Sequence, residues 1–281
     1  MDAFQFAKQG KFLMLALDHR ESFKKVLNQK APQKVTNEEI ITTKKEILEI
    51  LADEFSGFLI DPEFGLKAYE QMKEKPKTPF LLSIEKSGYQ EKNEERITYL
   101  QYNVSQLKQM GAAGVKLLVY FNPYVSTSIY QLKTAGEVFK QCQRENLPFF
   151  LEIVTYYTES TLNKKGNLVI ESLLKFLGFG IRANVFKLEY PKNSASCKQI
   201  SQILGKTPWI LLSRGENFNI FKLQLEDAVL NGASGFLAGR SLWQEIGQFQ
   251  NEKQRKEFLK STVKKRFQEI KNIVEKASFL A

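Results

Sequence analysis

Short apolar runs recur along the chain at residues 12–17, 57–60, 80–84, 115–120, 149–154, 185–188, 209–212 and 235–237, each bounded by turn residues or a helical stretch. Runs of this length and content predict buried strands. Between most of them lie polar segments whose apolar positions recur three and four apart, at 38–54, 95–110, 128–145, 167–177 and 218–230, with weaker ones at 66–73 and 197–204. That spacing predicts amphipathic helices. Strand and helix alternating eight times predict a parallel sheet, and eight strands suit a closed (β/α)₈ TIM barrel better than an open doubly wound sheet. The open sheet is disfavoured because no Gly-x-Gly-x-x-Gly follows the first strand, which runs into Ala16-Leu17-Asp18-His19-Arg20. No low-complexity linker divides the chain and no repeat exceeds the strand–helix unit, so residues 1–281 read as one α/β domain.

The formal charge of +10 invites a nucleic-acid reading. Its distribution weakens that reading, because residues 251–276 hold nine Lys/Arg against four Asp/Glu, half of the whole excess. Phe258, Leu259, Val263, Phe267, Ile270 and Val274 fall at helical spacing there, so the stretch predicts a C-terminal amphipathic helix with a solvated basic face. The remaining positive charge can raise the local concentration of anionic substrates. Two cysteines without CxxC or histidine-rich spacing predict reduced thiols and no metal site. No secretory signal and no membrane span is legible, which predicts a cytoplasmic protein with no nucleic-acid or membrane partner.

Three apolar runs carry a charge where burial is costly: Lys187 in Asn184-Val185-Phe186-Lys187-Leu188-Glu189, Lys116 in Gly114-Val115-Lys116-Leu117-Leu118, and Glu152 in Phe149-Phe150-Leu151-Glu152-Ile153. The runs are the fourth, fifth and sixth strands, so a barrel makes them neighbours and predicts that the three side chains meet inside it. An amine in low dielectric loses its proton more readily and attacks carbonyls, a second cation favours its neutral form, and a carboxylate can move protons. The plain alternative is a structural buried Lys–Glu pair. Three such residues on adjacent strands favour Schiff-base chemistry.

Other polar residues gather at the C-terminal strand ends, where barrel enzymes place their chemistry: Asp18, Asp61, Glu85 with Lys86, Thr155, Ser213 with Arg214, and Arg240. Ser213-Arg214-Gly215 and Ala238-Gly239-Arg240-Ser241 close the last two strands. Glycines there let backbone N–H groups approach a phosphate that Arg240 can grip, whereas the bland reading is two ordinary turns. His19, the only histidine, reads as a polar lining residue; Asp18 could orient a hydroxyl or pair with a lysine, and Asp61 and Glu85 could pair with lysines. Trp209 and Trp243 read as packing residues.

At these positions the chain resembles the class I tagatose-1,6-bisphosphate aldolase family and, more loosely, sulfofructosephosphate aldolases. The matching pieces are Leu15-Ala16-Leu17-Asp18-His19-Arg20, Asp61-Pro62-Glu63-Phe64-Gly65, Glu85-Lys86-Ser87-Gly88-Tyr89, Val115-Lys116-Leu117-Leu118, Pro148-Phe149-Phe150-Leu151-Glu152-Ile153, Phe186-Lys187-Leu188-Glu189-Tyr190-Pro191 and Gly235-Phe236-Leu237-Ala238-Gly239-Arg240. They fall in family order and cover most of the chain. The resemblance implies a barrel enzyme without metal or cofactor that cleaves a ketose 1,6-bisphosphate to dihydroxyacetone phosphate and glyceraldehyde 3-phosphate. It implies Lys187 as the Schiff-base lysine, Lys116 as a second active-site lysine, Glu152 as the proton shuttle and Asp18 as the strand-one aspartate. Ser213, Gly239 and Arg240 fall at phosphate-binding positions, and Arg214, Gly215, His19 and Arg20 stand beside them as substrate contacts. His19 replaces a glutamine, Arg214 replaces a small residue, and the chain is shorter between the fifth and seventh strands. Arg214 then either meets a second anionic group on the substrate or forms a salt bridge at the rim. A sugar-phosphate sensor without catalysis is the alternative of another class, and a homo-oligomer is compatible with either.

Overall fold

The computed structural model describes residues 1–163, 167–249 and 251–277. Its strands are β1 (Phe12–Leu17), β2 (Gly57–Ile60), β3 (Phe80–Ser83), β4 (Gln90–Lys92), β5 (Glu95–Ile97), β6 (Gly114–Phe121), β7 (Phe149–Thr155), β8 (Val185–Leu188), β9 (Trp209–Leu212) and β10 (Gly235–Ala238). Eight of them close a parallel barrel in the order β1-β10-β9-β8-β7-β6-β3-β2, while β4 and β5 form a separate antiparallel ribbon. The eight apolar runs are the eight barrel strands, as their length and content predict.

Alternation along each strand divides the apolar residues into two layers. One set, including Leu13, Leu15, Phe58, Leu82, Val115, Leu151, Phe186 and Leu211, faces the surrounding helices. The other set, Phe12, Met14, Ala16, Leu59, Leu81, Phe150, Val185, Ile210 and Leu237, fills the barrel. A 3₁₀ turn at Ala3–Phe6 plugs the floor, where the Phe6 ring meets Phe150 edge-on with centroids 5.3 Å apart. The lower barrel is therefore packed solid, and space for chemistry remains only toward the C-terminal strand ends.

Helices fall close to the expected positions at Asn37–Leu51, Gly65–Glu70, Ser128–Glu145, Leu168–Gly178, Ser194–Leu204 and Phe218–Leu230. The helix expected at 95–110 is the exception. Its first residues are β5, and the helix runs only over Val104–Gln109, restarted by an Asn103–Gln106 capping box. Asn93 and Glu94 both have positive φ, 50° and 62°, the geometry of a tight hairpin turn that an apolar-periodicity argument does not register. The C-terminal stretch is helical from Glu252 to Ala277 with a π turn at Leu259–Val263, and its six spaced apolar residues are all buried. Its basic residues largely face acids of the same protein: Arg255 meets Glu46, Lys264 and Lys271 meet Glu54, and Arg266 forms a two-point pair with Glu245. No helix among the described residues is long and apolar enough to cross a membrane.

Candidate active site

Strand register sets the heights of the buried charges. Glu152 on β7 lies level with Lys187 on β8 and with Leu118 on β6, whereas Lys116 lies level with Phe150, one layer deeper. The three side chains point into the barrel and meet. Lys187 Nζ stands 2.9 Å from Glu152 Oε1, and the other oxygen of that carboxylate is 3.6 Å from Lys116 Nζ. Lys116 also pairs with Asp18 at 2.5 Å and with Glu85. Lys116 is wholly buried and Lys187 is 4% exposed, so Lys187 is the amine that opens to the cavity above.

The electrostatics of the cluster follow from this crowding. Burial would lower the affinity of Lys116 for its proton, but Asp18, Glu85 and Glu152 overcome it and hold the ammonium well above its ordinary range. Burial would likewise raise Asp18, yet the Lys116 charge, with His19 and Lys187, holds it far below the usual carboxylate range. Lys116 is thus a permanent cation fixed among anions. Glu85 is further anchored by the Leu118 N–H, which donates to its Oε2 at 3.2 Å.

Above the cluster lies a cavity of about 380 Å³. It is lined by Asp18, His19 and Arg20 after β1, Lys86, Ser87 and Gly88 after β3, Tyr120, Glu152, Lys187, Ser213 to Gly215 after β9, and Gly239 with Arg240 after β10. Of the catalytic and substrate-binding candidates named from the resemblance, all line it except Lys116, which lies beneath. Gly239 sits so close to β1 that a Cβ would come 2.7 Å from the Ala16 carbonyl oxygen, and a Cβ on Gly215, where φ is +82°, would come 3.1 Å from the Arg240 guanidinium. Both glycines therefore let backbone and Arg240 converge on one corner of the cavity. Arg240 Nη2 donates to the Arg214 carbonyl at 3.1 Å, which ties the two loops together.

Several residues behave differently from the simplest reading of their type. Arg20 was expected among the substrate contacts, but its side chain is buried. It donates to the Glu85 carbonyl at 2.5 Å, Gln101 at 2.8 Å and Glu63 at 3.2 Å, so it braces the loops after β1, β2 and β3. Arg214 makes the rim salt bridge: its guanidinium pairs with Glu189, whose other oxygen accepts from the Thr155 N–H and hydroxyl, each at 2.7 Å. Glu189 shares a strand face with Lys187 by alternation, yet β8 ends at Leu188 and the carboxylate turns into a second cavity at the rim. Asp61 is paired with Lys44 rather than open to substrate. His19 packs edge-on against Trp243, centroids 5.2 Å apart, with Nδ1 3.8 Å from Asp18. Burial, together with the nearby Arg240, Lys187 and Lys44 charges, outweighs Asp18 and pushes the ring's pKa down to about 3. His19 is consequently a neutral lining residue.

Two contributors escaped the sequence reading. Lys44, in the helix Asn37–Leu51, is fully buried and donates to the Leu17 carbonyl at 2.8 Å, directly before Asp18. Arg96, on β5, lies over the rings of Tyr89, Tyr156 and Tyr120 at 4.7, 5.0 and 6.0 Å. Neither had a sequence signal, since lysine in an amphipathic helix and arginine in a polar segment both read as solvated.

The site's composition agrees with comparison to known proteins. A profile of the DeoC/LacD family aldolases matches residues 12–245. The tagatose 1,6-diphosphate aldolase 1 of Enterococcus faecalis is 29% identical over 265 residues, covering 84% of this chain and 80% of that protein. The tagatose 1,6-diphosphate aldolase of Lactococcus lactis subsp. lactis is 27% identical over 309 residues, covering 96% and 93%. Among solved structures, an archaeal fructose-1,6-bisphosphate aldolase with its catalytic lysine bound to a carbinolamine intermediate aligns with a TM-score of 0.63 at 16% identity, over 94% of this chain and 98% of that one. The fructose-bisphosphate aldolase of Plasmodium falciparum aligns with a TM-score of 0.68 at 14% identity, over 96% and 92%; both share the barrel. With the profile spanning β1 to β10 and every cluster residue inside the matched range, the chain belongs to the DeoC/LacD aldolase family.

Proposed function

We propose that the protein is a class I aldolase that cleaves a ketose 1,6-bisphosphate, the tagatose sugar in the first instance, through an imine on Lys187. One observation carries this reading: the amine that faces the cavity touches a carboxylate that is itself held by a second, permanently charged lysine. The proton that Lys187 must shed before attack has an acceptor in contact, and Glu152 can return it. The neutral Nζ adds to the C2 carbonyl carbon, the C=O π pair moves to oxygen, and one Nζ proton passes to that oxygen to give the carbinolamine. Glu152 then protonates the carbinolamine hydroxyl, which leaves as water, and the nitrogen lone pair forms the iminium. A base removes the C4 hydroxyl proton, the C3–C4 bond breaks, and its electron pair moves into the iminium to give an enamine. Glyceraldehyde 3-phosphate departs, C3 is protonated, and water hydrolyses the iminium to release dihydroxyacetone phosphate.

The surrounding residues divide the remaining tasks. Lys116 keeps Glu152 and Asp18 oriented and offsets their charge. Asp18, at the cavity wall beside Lys187, contacts substrate hydroxyls. Ser213, Gly215, Gly239 and Arg240 form the corner that receives the 1-phosphate, where backbone N–H groups and one guanidinium converge. The names of the relatives support the tagatose bisphosphate, and the departure at His19 makes the epimer preference worth measuring directly.

The test is reductive trapping. Borohydride with dihydroxyacetone phosphate is expected to add a reduced three-carbon adduct to the peptide containing Lys187, and Lys187→Met to lose it. A label on another lysine, or cleavage activity that survives Lys187→Met, refutes the assignment. Binding of the bisphosphate without turnover would favour a sensor instead.

A further inference from the structure

We propose that the rim cavity beside the active site, between Arg96 and Arg214, receives the distal anionic group of the substrate, with Arg96 as the charge that recognises it. The inference rests on the aldolase reading above and extends it to the end of the sugar that the Lys187 chemistry does not touch.

The cavity measures about 370 Å³ and shares Leu212, Ser213 and Arg214 with the cavity over Lys187, so the two adjoin. Its cations are Arg96, Arg214 and Lys192, and its acids are Glu189 and Glu216. These charges are not equivalent. Arg214 is compensated by Glu189, and that carboxylate is saturated by Arg214 and by both Thr155 donors. Glu216, at the exposed rim, accepts from the Asn217 N–H at 3.0 Å. Arg96 is different. Its guanidinium is held among three tyrosine rings, while its backbone N–H donates to the Tyr156 hydroxyl at 2.9 Å. Among the described residues no carboxylate forms an ion pair with it and no acceptor takes its side-chain N–H groups. The three rings hold the guanidinium by cation–π contact and take none of its N–H donors, which suit the oxygens of a phosphate or sulfonate.

Arg96 stands on the opposite side of the barrel mouth from the 1-phosphate corner. In the closed ring of strands β6 stands across from β10, and Arg96 lies over Tyr120 at the end of β6 and Tyr156 just after β7. Gly239 and Arg240, which receive the 1-phosphate in this reading, follow β10. Lys187 on β8 lies between the two sides, as C2 lies between the two phosphates. The hairpin that carries Arg96 is fastened down. Glu95 accepts from the Thr127 N–H at 2.7 Å and the Ser126 hydroxyl at 3.0 Å, and the Arg96 carbonyl accepts from Gln131 at 3.2 Å. Arg96 is thus presented from a fixed support.

The experiment compares cleavage of a ketose 1,6-bisphosphate with cleavage of the matching ketose 1-phosphate, in the full-length wild type and in Arg96→Gln and Arg96→Lys. A charge-assisted contact to the distal group predicts that the ratio of kcat/KM values, bisphosphate over monophosphate, falls at least tenfold in Arg96→Gln. Arg96→Lys is expected to recover part of the ratio because it restores charge without the fork. Borohydride trapping with dihydroxyacetone phosphate, run on each variant, reports whether the Lys187 site remains assembled. Trapping retained with an unmoved ratio overturns the proposal and leaves the aldolase reading intact. Absence of trapping at Lys187 in the wild type overturns both. A parallel loss of both substrates with trapping lost assigns Arg96 a structural role and also overturns it.

Discussion

Lys116→Met is the sharpest test of the buried charge cluster. Methionine matches the length of the lysine stem, so little cavity is created and the change is essentially the removal of one charge. Lys116 is fully buried and contacts Asp18 at 2.5 Å, Glu152 at 3.6 Å and Glu85. Removing it leaves those carboxylates facing one another with only Lys187 beside Glu152. Breaking a buried pair by deleting one partner costs about 3–5 kcal/mol, because an uncompensated charge remains. For a chain of this size that corresponds to a fall in Tm on the order of 10 °C.

The pH dependence gives the charge mechanism its signature. In the wild type Asp18 is depressed, so its contribution is present above its ordinary pKa of 3.8 and is lost as the pH falls through the depressed value. Lys116 is elevated, so its contribution is present below 10.5 and is lost only as the pH rises through the elevated value. The cluster therefore contributes evenly from pH 5 to 8. In the variant Asp18 keeps the burial that raises it and loses the Lys116 charge that holds it down, so it takes up a proton more readily as the pH falls and the deficit narrows. Thermal melts by circular dichroism at pH 8 and pH 5 measure both quantities. A deficit below about 2 °C at pH 8, or one that is as large at pH 5, would refute the reasoning.

Further outcomes are expected. Glu152→Gln keeps the shape of the side chain and removes its proton chemistry, so kcat should fall by about 10²–10⁴ in a coupled cleavage assay; a fall smaller than tenfold would assign the proton transfers elsewhere. His19, with a pKa near 3, is neutral throughout the working range. Because it is the only histidine, its ring proton resonances can be followed without assignment and should not titrate between pH 8 and 5. A midpoint near 6.5 would contradict the burial argument. As a depressed base, His19 contributes stability above pH 6.5 that is lost as the pH falls toward 3. The wild type should therefore lose about 1–2 kcal/mol more than His19→Gln between pH 6.5 and 5, discounted for the part of the ring that stays exposed.

Much of the barrel was legible because its determinants are local. Residues 12–17, 57–60, 185–188 and 209–212 are apolar and short, and they are strands to the residue. Lys187 and Glu152 were legible for the same reason, since a charge inside such a run is an anomaly that needs no partner to be noticed. The β4–β5 hairpin was not, because its turn is set by two residues in left-handed backbone and not by hydrophobic periodicity. Arg20 reads as a substrate contact and Arg214 as either a substrate contact or a rim salt bridge, and the structure turns both guanidinium groups onto protein acceptors. Lys44 shows the reverse, because a lysine on an amphipathic helix looks solvated until that helix is seated against β1 and β2.

The sequence alone determined the number and order of strands, the two faces of each, and which strands carry an amine or a carboxylate inward. These follow from backbone geometry of period two and from the cost of burying charge, both readable within a few residues. Only closure of the barrel decided that Lys116 lies one layer beneath Lys187, that Asp18 and Glu85 surround it, and that Arg96, across from Arg240, has no anionic partner among the described residues. Those relations join segments far apart in the chain and depend on register between strands, because electrostatic pairing is set by distance in space and not by separation along the backbone.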